Sequence, residues 1–253
     1  MTENADGSLK SVSKAFKIVG YVEEVGSVTP TRLASDFDLP TSTAHIYLKT
    51  MEEAGYLTKS AGRYRLSLRF LSHGVNTRRQ FDVYEVAVSE IDLLAETTGE
   101  VANLGVEEDG KRVLLYKREG EEGIYDKAPT GEFTHMHWTS LGKAILAHLP
   151  TDRVDEIVDR HGLPNATDRT ITDREALAAE LESIRANGYA LEDEERRANI
   201  RAVAVPVFAN DSVVGSISLS GPTSRFTDAR IESELVEELQ DKANVIELQL
   251  RHY

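Results

Sequence analysis

The chain contains no cysteine. Disulfides and thiolate metal sites are thereby excluded, and the composition fits a reducing cytosol. Long apolar runs are also missing: none approaches the ~18 residues of a membrane-spanning helix. The opening stretch MTENADGSLK is polar and lacks the apolar centre of a secretory signal. A soluble, cytoplasmic protein with no membrane partner is expected. Internal repeats are lacking as well. Gly142-Lys143 is not preceded by the glycine spacing of a phosphate loop. Ser140 sits in no Gly-x-Ser-x-Gly elbow and has no paired base in view. No enzyme and no cofactor are expected. His135 and His137 would share one face of a strand, but spacing places neither His148 nor His161 beside them. They read as structural or pocket histidines, with no metal.

Acid is what the chain has in excess. Asp and Glu number 43 against 29 Lys and Arg, a net charge of −14. The imbalance is uneven: the first 80 residues carry +3 and the remaining 173 carry −17. Such asymmetry points to a nucleic-acid module joined to an acidic one. The length of 253 residues allows one large or two ordinary domains. Acid excess with few lysines is also expected of a protein from a high-salt cytoplasm, such as that of a halophilic archaeon. DNA affinity would then rest less on counterion release and more on groove fit and base contacts.

Residues 29–57, TPTRLASDFDLPTSTAHIYLKTMEEAGYL, carry the basic half's clearest pattern. Thr29 can cap a helix with Pro30 at its first position. Asp38-Leu39-Pro40 breaks that helix, because a residue before proline is pushed out of the α region. A second helix starts at Thr41 or Ser42, turns Ala44, Tyr47, Leu48 and Met51 inward, and stops at Ala54-Gly55. Its outer face begins with Thr41, Ser42 and Thr43 and continues through His45, Ile46 and Lys49. Hydroxyls and free N–H groups at a helix start suit phosphates and base edges. The bland alternative is a helical hairpin with ordinary capping. The short proline-closed turn and a following wing favour a DNA-binding helix-turn-helix. Ser42, Thr43 and His45 are candidates for base or phosphate contacts, and Arg32, Lys49 and Arg63 for phosphates. Lys59 and Arg63 lie on the wing, a hairpin around Lys59-Ser60-Ala61-Gly62, where ordinary solvated charge is the rival reading.

Upstream, Ser11 or Ser13 can cap a helix with the stripe Val12, Ala15, Phe16, Val19 and Val22. Downstream, helices are expected near 70–79 and 81–98. Hairpins follow at 101–118, around Glu108-Asp109-Gly110, and at 201–220, around Asn210-Asp211. Helices are expected over 140–149, from Thr151-Asp152 to Arg160, after a Thr172–Glu175 capping box, and from Thr227 to the end. The fold class is α+β, with helices flanking antiparallel hairpins. The expected organisation is a disordered tail at 1–10, a winged helix-turn-helix at 11–75, a linker helix at 76–98 and an α/β domain at 99–253.

Several blocks, in order, resemble the IclR family of transcriptional regulators over nearly the whole chain. They are SVSKAFKIVGYVEEVG, LPTSTAHIYLKTMEEAGYL, GRYRLSLRFLSHG, HWTSLGKAILAHLP, TITDREALAAELESIRANGYALEDEE, RAVAVPVF and SISLSGPTSRFTD. The resemblance implies a GAF-like C-terminal effector-binding domain with an antiparallel sheet. It also implies homodimers, in many members paired into tetramers, on double-stranded operator DNA. The effector would be an organic, sugar or aromatic acid, and the output repression, activation or both. The pocket it implies draws on Ser140 and Leu141, on Glu192, Asn199, Ile200 and Ala202, and on Ser218 and Ser220. Asn103, His137 and the segment around Ile124 and Tyr125 complete the candidate set. Many members have glycine at the position of Asn199, and cysteine or serine at that of Ala202. Asn199 is expected to supply the hydrogen bond that Ala202 cannot. The rival reading is a small-molecule sensor or protein-interaction module whose winged helix contacts protein rather than DNA.

Overall fold

The computed structural model describes residues 9–123 and 128–252, which fall into two compact units dividing between Arg78 and Arg79. In the first unit, α1 (Lys10–Val25), α2 (Pro30–Asp36) and α3 (Thr41–Glu53) precede β1 (Leu57–Ser60), β2 (Arg63–Leu66) and α4 (Arg69–Arg78). Thr29 caps α2 by accepting the Arg32 N–H, with Pro30 at the first position. The wing closes through Ala61 and Gly62, both at positive φ, as a two-residue type I′ turn requires. Val28 exchanges both backbone bonds with Tyr64, stitching the wing to the loop before α2. Ile18, Val22, Leu33, Leu48 and Tyr64 are fully buried around this joint.

The first helix differs from its sequence reading. Neither Ser11 nor Ser13 caps it, since it begins at Lys10 after an extended Leu9. Val12 and Phe16 of the expected stripe are exposed, while its Val22 is buried and its Val19 packs against the core, joined by Ile18, which the stripe left out. The core here is small, so one turn of α1 is enough to close it.

The second unit is a six-stranded antiparallel sheet in the order β5-β4-β3-β8-β7-β6. The strands are β3 (Val101–Glu108), β4 (Lys111–Glu119), β5 (Phe133–His135), β6 (Ala190–Asp193), β7 (Ile200–Ala209) and β8 (Ser212–Pro222). The β3–β4 and β7–β8 hairpins turn on Asp109-Gly110 and Asn210-Asp211, again both at positive φ. One sheet face packs on α5 (Asp82–Thr98) and on α10 (Val236–Leu250). A short α9 (Asp228–Arg230) and a π-helical turn, Ile231–Leu235, lead into α10. The other face packs on α6 (Ser140–Leu146), with α7 (Thr151–His161) and α8 (Arg174–Asn187) completing that core.

Residues 76–98 do not form one linker helix: α4 ends at Arg78 and α5 begins at Asp82. Val83, Val86, Ala87, Ile91, Leu94 and Ala95 are buried, so this helix belongs to the second unit's core. Two caps also move. Asp173, not Thr172, accepts the Ala176 N–H at the start of α8. Pro150 precedes α7, which has no side-chain cap. β5 and β6 are short edge strands, three and four residues long, below the length at which alternation is readable.

Candidate functional site

Two regions gather the candidate residues. In the first, α3 buries Ala44, Leu48 and Met51 and turns Thr41, Ser42, His45, Ile46 and Lys49 to solvent, with Thr43 half-buried. An exposed Ile46, 63% accessible on a short helix, is what an apolar contact with a base methyl would use. The charges around it are locally balanced. Arg32 lies 3.5 Å from Asp36, and Lys49 lies 3.4 Å from Glu53. Arg63 donates from Nε and Nη2 to Ser27, at 2.9 Å each, so it braces the wing against the α1–α2 loop. Lys59 lies over the Tyr64 ring.

In the second region, a cavity of about 350 Å³ opens between the α6-side face of the sheet, the first turn of α6 and the β6–β7 connection. That size is at the low end for small-molecule pockets. Cross-strand register assembles its floor. Asn103 on β3 lies opposite Ser218 on β8, and Ala202 on β7 lies between Ser220 and Glu192. The Asn103 amide donates to both serine hydroxyls, at 3.3 and 3.4 Å. Thr139 caps α6 by accepting the Gly142 N–H at 3.0 Å, which fixes Ser140 and Leu141 at the cavity wall. Gly142 is required there: a Cβ would lie 2.2 Å from the Met136 carbonyl oxygen.

The wall is heavily charged. Arg112 is 2% exposed and donates from Nη2 to Glu132 at 3.2 Å. Arg196 also donates to Glu132, at 2.9 and 3.0 Å to its two oxygens. Burial holds the Arg112 guanidinium below its ordinary pKa, the charge of Arg196 adds to this, and Glu132 opposes it. Glu192 is pushed up to about 7 by burial, with Glu195 adding to the rise. Arg196, Lys143 and the Ser140 N–H hold it back. Behind the wall, the buried Lys143 ammonium pairs with Glu195 at 2.6 Å and Glu180 at 2.8 Å. Burial also raises the Glu195 carboxyl against the pull of Lys143.

Of the candidate pocket residues, Asn103, Ser140, Leu141, Glu192, Ile200, Ala202, Ser218 and Ser220 line this cavity. Asn199 does not. Its φ of 63° is the left-handed conformation that asparagine tolerates and glycine favours. The residue shapes the connection rather than replacing a bond lost at Ala202. His137 is also elsewhere: it is buried, its Nε2 lies 3.0 Å from the Pro164 carbonyl, and burial lowers its pKa. His135 is held at about 4 by burial first and Lys111 second. Among the described residues no group of three or more His, Asp or Glu is arranged for a metal. Ile124 and Tyr125 lie outside the described residues. The sequence reading missed Arg112, Leu114, Ala128, Glu132, Thr139, Arg196 and Arg197 as lining residues. Thr139 was findable as a cap before Ser140-Leu141-Gly142. The three arginines carried no local signal.

Among the described residues no helix is long and apolar enough to cross a membrane. The model of the IclR helix-turn-helix domain matches residues 11–61, and that of the C-terminal domain of bacterial IclR transcriptional regulators matches 75–248. A probable HTH-type transcriptional regulator, ArcR, of Halobacterium salinarum is 30% identical, over 96% of this chain and 94% of its own. The crystal structure of Thermotoga maritima IclR superposes with a TM-score of 0.82 at 30% identity, over 96% of this chain and 99% of that one. An IclR homologue from Microbacterium hydrocarbonoxydans, crystallised with 4-hydroxybenzoate, shares the fold. Its TM-score is 0.78 at 24% identity, over 90% of this chain and 92% of that one. With both domain models matched in order along one chain, this protein belongs to the IclR family of transcriptional regulators.

Proposed function

We propose that the protein is a ligand-gated operator-binding regulator whose small-molecule effector occupies the cavity beside α6. The observation that carries this reading is the cavity itself, a chamber of about 350 Å³ floored by Asn103, Ser218 and Ser220 and walled by Arg112 and Glu192. A small organic acid suits that lining, because hydroxyls and an amide can take its oxygens and arginines its charge. The Microbacterium homologue's 4-hydroxybenzoate is an acid of that size.

In this reading α3 enters the major groove, with Thr41, Ser42, Thr43, His45 and Ile46 at base edges or phosphates. Arg32, Lys49, Lys59 and Arg63 meet phosphates. The protein acts in the cytoplasm as a homodimer, or a pair of dimers, on successive half-sites of a double-stranded operator. An effector changes operator affinity only to the extent that it binds the two arrangements of the dimer unequally. The test is a footprint on the DNA upstream of the protein's own gene and its neighbours, with and without candidate acids. Protection that an acid strengthens or releases is expected. No protection under either condition would reject DNA regulation and favour a protein-contacting module.

A further inference from the structure

Taking the cavity as the effector site, as proposed above, we infer that Arg112 is the receptor for the ligand's acid group and that Glu132 is a resident competitor for it. The buried guanidinium is incompletely paired. Only Nη2 reaches Glu132, while Nε and Nη1, both closed to solvent, have no hydrogen-bond partner among the described residues and meet a ligand as the side chain turns toward the cavity. Arginine stays ionised in proteins, so burial cannot be relieved by losing the proton. Open donors on a buried charge are costly, and such groups are normally satisfied by hydrogen bonds or a counter-charge.

Glu132 does not meet the need. Its two oxygens take Arg196 at 3.0 and 2.9 Å and Arg112 at only 3.2 Å, so one carboxylate serves two guanidiniums. A second carboxylate completes the set. A planar acid group takes one edge of the guanidinium, Nη2 together with Nε or with Nη1, and so competes with Glu132 for Nη2; a neutral amide or hydroxyl cannot match it in charge. The ligand's remaining oxygens then face the Asn103–Ser218–Ser220 row, which supplies hydroxyls and an amide rather than charge. The fitting class is a compact carboxylic acid bearing a hydroxyl or carbonyl group. Glu132 tunes its affinity by holding back part of the positive charge.

The test uses the full chain and acetate, a small acid with a planar carboxylate. Acetamide is the neutral twin, and chloride is matched for ionic strength. Two readouts are followed: the thermal unfolding midpoint, and the nitrogen resonance of Arg112 Nε. Acetate is expected to raise the wild-type midpoint above both controls and to shift the Arg112 resonance. Arg112→Gln removes the gain, and Arg112→Lys keeps only part of it. Glu132→Gln gains more from acetate than the wild type does, because the added acid takes the place of the lost one.

An acetate gain that survives Arg112→Gln, a wild type indifferent to acetate, or a smaller gain in Glu132→Gln overturns the assignment. Should Arg112→Gln fail to fold, an unmoved Arg112 resonance in the wild type does the same. The regulator reading fails separately. Absence of an operator footprint both with and without candidate acids decides it, so an intact footprint with no acetate response rejects the Arg112 assignment alone.

Discussion

The second unit buries two cations, Lys143 and Arg112, and treats them differently. Lys143 is closed off: Glu180 and Glu195 both reach its ammonium at hydrogen-bond distance. Arg112 is left open, with one nitrogen on a shared carboxylate and two without partners among the described residues. Equal burial therefore produces two outcomes. The two carboxylates on Lys143 tie elements together, although Glu195 Oε2 has no hydrogen-bond partner among the described residues; the donors left over on Arg112 are what a ligand would use.

The sharpest way to break the comparison is at Lys143. Replacing it by Met leaves Glu195 buried beside Glu192 with no counter-charge, and should cost about 3–5 kcal/mol in denaturant unfolding. A cost near zero would mean the closed cluster is no scaffold.

Next comes Glu192. Its carboxyl titrates at about 7 in the fold and near the ordinary carboxylate value when unfolded. The folded state therefore binds the extra proton across that window. Stability falls as pH rises from roughly 4.5 to roughly 7 and levels off above, by a few kcal/mol in all. Glu192→Gln should flatten this slope, appearing more stable than the wild type at about pH 8 and not at about pH 5. Chemical denaturation at the two pH values checks it, and parallel slopes would contradict it.

Outside the second unit, alanine at Thr43 and His45 should weaken operator binding by about 1–3 kcal/mol per lost base contact. Gel-shift titration reads the loss, and the acetate response of the cavity should stay as it was. The smallest effect is expected at the open cation. Arg112→Met removes a poorly paired buried charge while Glu132 keeps Arg196, so unfolding free energy should move by no more than ~1 kcal/mol. A loss as large as that at Lys143 would erase the distinction between the two sites.

Much of this was legible in the sequence because it is written in short-range chemistry. The hairpin turns at Asp109-Gly110 and Asn210-Asp211 and the cap at Thr29 each depend on a few adjacent residues. Ser218 and Ser220 on the cavity floor were legible through family likeness, and Asn103 as a candidate added on the first strand. Arg112 was not, for a geometric reason. The β3–β4 register slips by one between Leu104 and Gly105, so that Asn103 faces Lys117 while Gly105 faces Leu114. Arg112 and Leu114 lie between the turn and the slip and face the cavity, Val113 and Leu115 face α5, and the slip brings Tyr116 to the α5 side as well. The stretch KRVLLYK is apolar on both faces and does not announce which residue is displaced. Glu132 and Arg196 lie 64 positions apart and meet only once β5 is laid beside β4.

The β6–β7 connection sets a boundary for anyone wishing to retune the response. Glu195 anchors to Lys143, and its immediate neighbour Arg196 to Glu132 at the cavity wall. One peptide bond thus separates a position that can be varied from one that cannot. A library aimed at new ligands for this cavity should randomise Arg196, Ile200 and Ala202, and leave Glu195 and Lys143 as they stand.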